Sequence, residues 1–186
     1  MRMFLHFIPK LLQYAFGNIT WRKQQHDKVL YLTFDDGPTP ELTTQLLTLL
    51  ARYNAKATFF CVGENIVKYP ELFSSILLEG HSVGNHTFNH LNGWNTPNEI
   101  YLQNWQLCQE QLPLTRLFRP PYGRITFQQA KRLYPKAEIV MWDVLSGDFS
   151  VSIKPEVCLS KSIQYSHPGS IIVFHDNPKA AQNVRY

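Results

Sequence analysis

The chain has 186 residues, 44% hydrophobic and 17% charged, which bounds it to one ordinary globular domain and excludes a disordered or coiled-coil chain. Its 18 Lys and Arg against 14 Asp and Glu give a formal charge of +4, yet the basic residues cluster only as pairs such as Arg22-Lys23 and Lys131-Arg132. A nucleic-acid partner needs a basic patch or stripe, so none is expected, and no apolar run reaches the roughly 18 residues of a membrane span.

Residues 1–28 read as an N-terminal segment, apolar and aromatic but interrupted by His6, Pro9 and Lys10. No small-residue cleavage site follows an unbroken apolar core, so it is expected to pack on the fold or lie along its surface. Residues 29–34 (VLYLTF) are β-branched and aromatic, the composition of a buried strand. After Pro40 the apolar positions Leu42, Leu46, Leu49, Leu50 and Tyr53 recur at helical spacing. Residues 58–62 (TFFCV) form a second strand, 65–79 a helix broken at Pro70, and 82–84 a short third strand. A helix over 98–112, a short strand at 117–118 and a helix over 126–134 follow. The last elements are a strand over 138–142, a helix over 155–165 and a strand over 170–174. Strand and helix alternate throughout, the signature of a parallel α/β fold. Wrapped into a barrel, such a chain carries its chemistry in the loops after the strands.

Polar clusters stand at those strand exits. They are Asp35-Asp36-Gly37-Pro38, then "NHTFNH" after residue 84, "RPPYG" after Phe118, "DVLSGD" after Trp142 and His175-Asp176 after Phe174. Taken singly, each has an ordinary explanation: Asp, Gly and Pro make turns, and two histidines can sit on any surface. Five such clusters at five strand exits would converge on one mouth.

His86 and His90 are spaced to reach one ion, and Asp36 is the candidate third ligand. Two histidines and one carboxylate leave an open coordination position, as catalytic zinc sites do. Neighbouring Asp35 points to the other side and becomes the candidate base. His175 is a candidate general acid, since an imidazole can protonate a leaving amine near neutral pH. Arg119 is placed to hold a carboxylate, the Tyr122 N–H to meet a developing oxyanion, and Asp148 to orient either Arg119 or His175. The cysteines Cys61, Cys108 and Cys158 are scattered. That argues against a disulfide framework and leans toward a reducing compartment such as the cytoplasm.

The strings "TFDDGP", "HTFNH", "RPPYG", "WDVLSGDF" and "IIVFHD", in that order from about Val29 to Asp176, resemble the polysaccharide deacetylases, the fourth carbohydrate esterase family, with its NodB-like homology domain. The resemblance implies a distorted (β/α) barrel spanning residues 29–186, with parallel strands inside and helices outside. It implies metal-dependent removal of acetyl groups from N-acetylated sugars of a polysaccharide or oligosaccharide, with one divalent ion, usually zinc. By position, Asp35 is then the base, Asp36, His86 and His90 the metal ligands, and Arg119 the tether of the base. Tyr122 supplies an oxyanion-stabilising amide, His175 is the acid and Asp148 the carboxylate that tunes it. Val173 lines the acetyl pocket, with Phe149 and Pro121 beside it. The chain departs from the family pattern at Phe149, commonly Trp, and at Leu145, often Asp; Phe149 keeps an apolar wall and loses an indole donor.

A metal-dependent amidase or esterase on a non-sugar acyl compound remains a second reading, and a non-catalytic glycan-binding relative a third. Which glycan is used, and the oligomeric state, are not legible. Only ten residues follow Asp176, where such folds usually add a closing helix, so the outer face of the last strand needs another cover. The apolar positions Met3, Phe4, Phe7, Ile8, Leu11 and Leu12, at helical spacing, or else a second protomer, are the expected cover.

Overall fold

Short apolar runs between polar turns become the strands of a single sheet. A computed structural model describes residues 18–24 and 27–184. Its strands are β1 (Tyr31–Asp35), β2 (Thr58–Cys61), β3 (Ser82–Asn85), β4 (Leu117–Phe118), β5 (Glu138–Ile139), β6 (Val144–Leu145) and β7 (Ile171–His175). They lie in the order β5-β4-β3-β2-β1-β7-β6, and every pairing is parallel. The sheet curls into the expected distorted barrel, with edge strands β5 and β6 joined by the chain itself rather than by a ladder. The expected segment over 1–12 lies outside the described residues.

The helices are α1 (Pro40–Arg52), α2 (Gly63–Lys68), α3 (Pro70–Leu78), α4 (Asn98–Gln109), α5 (Phe127–Leu133), α6 (Pro155–Tyr165) and α7 (Ala181–Val184). Prolines open α1, α3 and α6, where the missing N–H costs nothing. α5 starts with a capping box between Thr126 and Gln129. Of the expected helical positions of α1, Leu42, Leu46 and Leu50 are buried, with Leu47 beside them, against Phe34, Phe59 and Ile76, whereas Leu49 and Tyr53 fall off that face and are exposed. A second cluster joins Tyr101 and Trp105 of α4 to Phe118, Leu133 and Ile139. Truncating one of these leucines to Ala costs about 2–5 kcal/mol through lost transfer energy and the cavity left behind.

Several elements differ from the sequence reading. The strand expected over 138–142 ends at Ile139, and the chain re-enters the sheet as β6. Asp143 causes this: its carboxylate accepts from Ile171 N–H at 2.8 Å and from Ser170 Oγ at 3.1 Å, fastening the crossing to β7. β1 and β7 each run one residue past the expected end, so Asp35 and His175 are strand residues rather than loop residues. After Asp176 the chain makes a turn and the one-turn helix α7, burying Ala180 and packing Ala181 and Val184 on the core of α1. Outside β7 an apolar groove of about 480 Å³ remains, lined by Ile172, Phe174, Leu30, Leu159 and Ile163 among others.

Candidate active site

The register of four parallel strands brings the chemistry together. β1 and β7 pair so that Asp35 lies beside His175, and β2 and β3 pair Cys61 with Asn85, the residue before His86. Asp35 is only 3% exposed, and its Oδ1 accepts from Arg119 Nη1 at 2.7 Å. Arg119 has no exposed surface and spends its remaining donors on Thr33 Oγ1 (2.7 Å), Val140 O (3.1 Å) and Met141 O (2.9 Å). Its guanidinium also stacks on the Phe60 ring at 4.2 Å. Two parallel bonds to the carboxylate, the geometry arginine favours, are not formed: one bond reaches Asp35, one reaches Thr33 on the same strand, and the other two tie the β4 exit to the chain beyond β5.

Asp36 turns away from Asp35 because its backbone takes a left-handed φ of 85°, held by Asn65 Nδ2 donating to its carbonyl at 2.8 Å. Its Oδ1 lies 2.9 Å from His90 Nε2 and 3.4 Å from His86 Nε2. These three donor atoms lie within 4.8 Å of one another. His86 Nδ1 sits 2.7 Å from the Arg119 carbonyl, which can only accept, so that nitrogen carries the proton and Nε2 offers a lone pair. A carboxylate oxygen and two imidazole nitrogens, one with its tautomer fixed from behind, fit a divalent ion of the zinc type. Burial alone would push the Asp36 carboxyl up, but the His86 and His90 imidazoles against it and the charge of His175 hold it well below the usual range. Thr87, His90 and Tyr122 also have left-handed φ, so four of the five such non-glycine residues of the described chain gather here. Backbone cost of this kind concentrates where geometry serves a site.

Of the two groups Asp148 was expected to orient, it holds His175 and not Arg119. Asp148 Oδ1 accepts from His175 Nδ1 at 2.8 Å and Oδ2 from the His175 N–H at 2.6 Å, leaving Nε2 for the cleft. Burial works against the imidazolium, but the Asp148 charge and hydrogen bond, with Asp36 and Asp35 behind, raise His175 to about 9. Ser146 Oγ donates to Asp148, and Phe149 meets the His175 ring edge-on at 5.1 Å.

These groups open onto a cleft of about 900 Å³, where Val173, Phe149, Leu145 and Trp142 supply apolar wall beside Asp35, Asp36 and His175. The Tyr122 side chain is exposed and its hydroxyl lies 3.2 Å from His90 Nδ1. Turn bonds from Gly123 and Arg124 N–H do not use the Tyr122 N–H. Pro121 is buried in that turn, and the same loop lines the cleft through Tyr122, Gly123 and Arg124.

Sequence reasoning missed four supports. Thr33 receives Arg119, and Asn65 carries the Asp36 carbonyl. Asn177 Nδ2 donates to Asp36 Oδ2 while its Oδ1 accepts from Lys179 and Ala180 N–H. Asp176 is buried and pushed up to about 7 by that burial and by the Asp36 charge; it accepts from Gly37 N–H and Thr43. Gly37 must be glycine, because a Cβ there would stand 1.8 Å from Asp176 Oδ2. Only the Asp-Gly pair left a trace in the sequence; the asparagines act from positions that carry no motif.

The polysaccharide deacetylase family model matches residues 22–137. The chain is 34% identical over 167 residues to a peptidoglycan-N-acetylglucosamine deacetylase of Bacillus cereus, over 86% of this chain and 78% of that protein. It is 33% identical over 163 residues to a chitooligosaccharide deacetylase of Azorhizobium caulinodans, over 83% and 77% of the two. The crystal structure of the Bc1960 peptidoglycan N-acetylglucosamine deacetylase in complex with 4-naphthalen-1-yl-N-oxidanyl-benzamide superposes with a TM-score of 0.87. The identity is 30%, over 96% of this chain and 86% of that one.

Proposed function

We propose, from the premise that this chain belongs to the polysaccharide deacetylase family, that it hydrolyses the acetamide of N-acetylglucosamine units within a glycan, using one divalent ion, zinc by preference. The observation that carries this reading is the pairing of Asp35 with His175 on adjacent strands, at one end of which Asp36, His86 and His90 converge. Those three residues would hold the ion, which when bound supplies Lewis acidity toward water and the acetamide carbonyl. Asp35, oriented by Arg119, takes the proton of the attacking water. The Tyr122 N–H donates to the oxygen on which charge develops. His175, held by Asp148 through Nδ1, gives its Nε2 proton to the departing amine nitrogen. The acetyl methyl packs on Val173, Phe149 and Leu145, and water displaced from that apolar corner favours binding.

N-acetylglucosamine is the sugar that the peptidoglycan relative of Bacillus cereus is named for, which supports it as the reacting unit here. The test is acetate release from N-acetylglucosamine oligomers and peptidoglycan strands by protein stripped of metal and then reloaded with zinc. Release that returns with zinc is expected. No release from any acetylated glycan by fully loaded protein would overturn the reading.

A further inference from the structure

Beside the reacting groups the cleft rim carries a guanidinium with no acid to match it. Arg124 lines the cleft and is exposed, yet takes part in no ion pair among the described residues. Its carbon Cζ sits 5.0 Å from the ring centre of Trp94, itself 63% exposed, and the indole N–H donates to the Ile125 carbonyl at 3.3 Å. Stacking of this kind restrains the side chain without consuming its in-plane N–H donors.

The loop that presents Trp94 is built into the fold. Gly93 N–H donates to the Arg124 carbonyl at 3.2 Å, and the buried Gln129 donates to the Gly93 and Thr96 carbonyls at 2.9 and 3.2 Å. A Cβ on Gly93 would stand 2.5 Å from the Arg124 carbonyl oxygen, so the two loops touch backbone to backbone. Trp94 and Arg124 are thus held in register with each other, and the same loop positions Tyr122 over His90 at 4.6 Å between ring centres. The rim also carries Lys179, likewise outside every ion pair of the described residues, and one acid, Glu64, which accepts from Asn89 at 3.4 Å.

We propose that Arg124, stacked on Trp94, is a specificity residue that pairs with a carboxylate on the sugar next to the acetylated one, so that the cleft selects acidic glycan chains over neutral ones. This inference rests on the proposed glycan deacetylase reading and adds a second subsite to it. A planar guanidinium offers two parallel donors to a carboxylate, and its pairing with the indole lowers the entropy lost on binding. Sugar carboxylates of two kinds fit, a lactyl ether and a uronic acid, and they share this recognition.

The experiment compares kcat/KM for acetate release from N-acetylglucosamine strands alternating with a lactyl-bearing sugar, strands alternating with a uronic acid, and the same strands with carboxyls reduced to alcohols. Wild type should prefer an acidic form by about fivefold at low ionic strength, the size of an exposed charge pair, and the preference should shrink with salt. Whichever acidic strand shows the preference identifies the source of the carboxylate. Arg124→Gln should bring the ratio toward one, and Arg124→Lys should keep part of it. A ratio near one in wild type, or one unchanged in Arg124→Gln, would overturn the proposal. Calorimetric binding of the same strands to zinc-loaded Asp35→Asn protein separates the two readings. Arg124-dependent binding of acidic strands without acetate release by wild type would sink the deacetylase reading and leave the subsite standing. Acetate release with no Arg124 dependence would do the reverse.

Discussion

Arg119→Lys removes little volume and no formal charge, yet it should be among the most damaging substitutions in the protein. The guanidinium is wholly buried and makes four hydrogen bonds in different directions, to Thr33, Asp35, Val140 and Met141. A lysine ammonium in the same tunnel can keep the 2.7 Å neighbours, Thr33 and Asp35, but not reach back to both carbonyls. Each buried acceptor left without a donor costs about 1–3 kcal/mol, so losing Val140 O and Met141 O costs about 2–6 kcal/mol. The planar contact with Phe60 is lost as well. Against a typical total stability of 5–15 kcal/mol that is a large fraction. Urea unfolding of metal-free protein, followed by circular dichroism, should show the midpoint falling with the slope unchanged. Turnover should fall in parallel, because Asp35 loses its fixed orientation. A stability change within about 0.5 kcal/mol, with activity within a few-fold of wild type, would refute the claim that Arg119 joins the strand ends.

Asp35→Asn should lose about 10²–10⁴ in kcat while binding zinc as tightly as wild type, as read by chelator competition; comparable turnover would remove Asp35 from the role of base. A raised His175 keeps its proton to higher pH, so activity that needs the imidazolium is full below its pKa and is lost as pH rises through it. The basic limb of the kcat/KM profile should therefore fall no higher than about 9, and Asp148→Asn should move it to lower pH; an unmoved limb would show that Asp148 does not tune this group. Gly37→Ala should cut soluble yield and melting temperature, since its Cβ would meet the Asp176 carboxylate; a protein melting at the wild-type temperature would contradict that packing. Asn177→Ala should weaken zinc binding by about 10–100-fold, the usual cost of losing a residue that orients a ligating carboxylate, and unchanged affinity would reduce Asn177 to a turn residue.

Which parts of this arrangement were legible in the sequence follows from the range over which each is determined. Asp36, His86 and His90 could be read because each stands at a strand exit with its own local signal, and a parallel sheet places strand exits at one end whatever its register. The helical period of α1 was legible at Leu42, Leu46 and Leu50, because burial of one helix face depends on the helix alone, but Leu49 and Tyr53 fall beside that face rather than on it. What escaped was set by pairing between distant segments. The two-residue β6 has no composition of its own, and it exists because Asp143 is caught by the start of β7. Arg119 could be seen as a carboxylate partner. That three of its bonds go elsewhere depends on where Val140 and Met141 pass the end of β4, which no spacing in the chain encodes. Asn177 shows the limit most clearly. It stands two residues beyond His175, past the last motif, and there it fastens the Asp36 carboxylate on one side and opens the turn into α7 on the other. The stretch over 177–184 is thereby coupled to the Asp36 carboxylate, and a change in how these residues pack should be felt first as a change in zinc affinity.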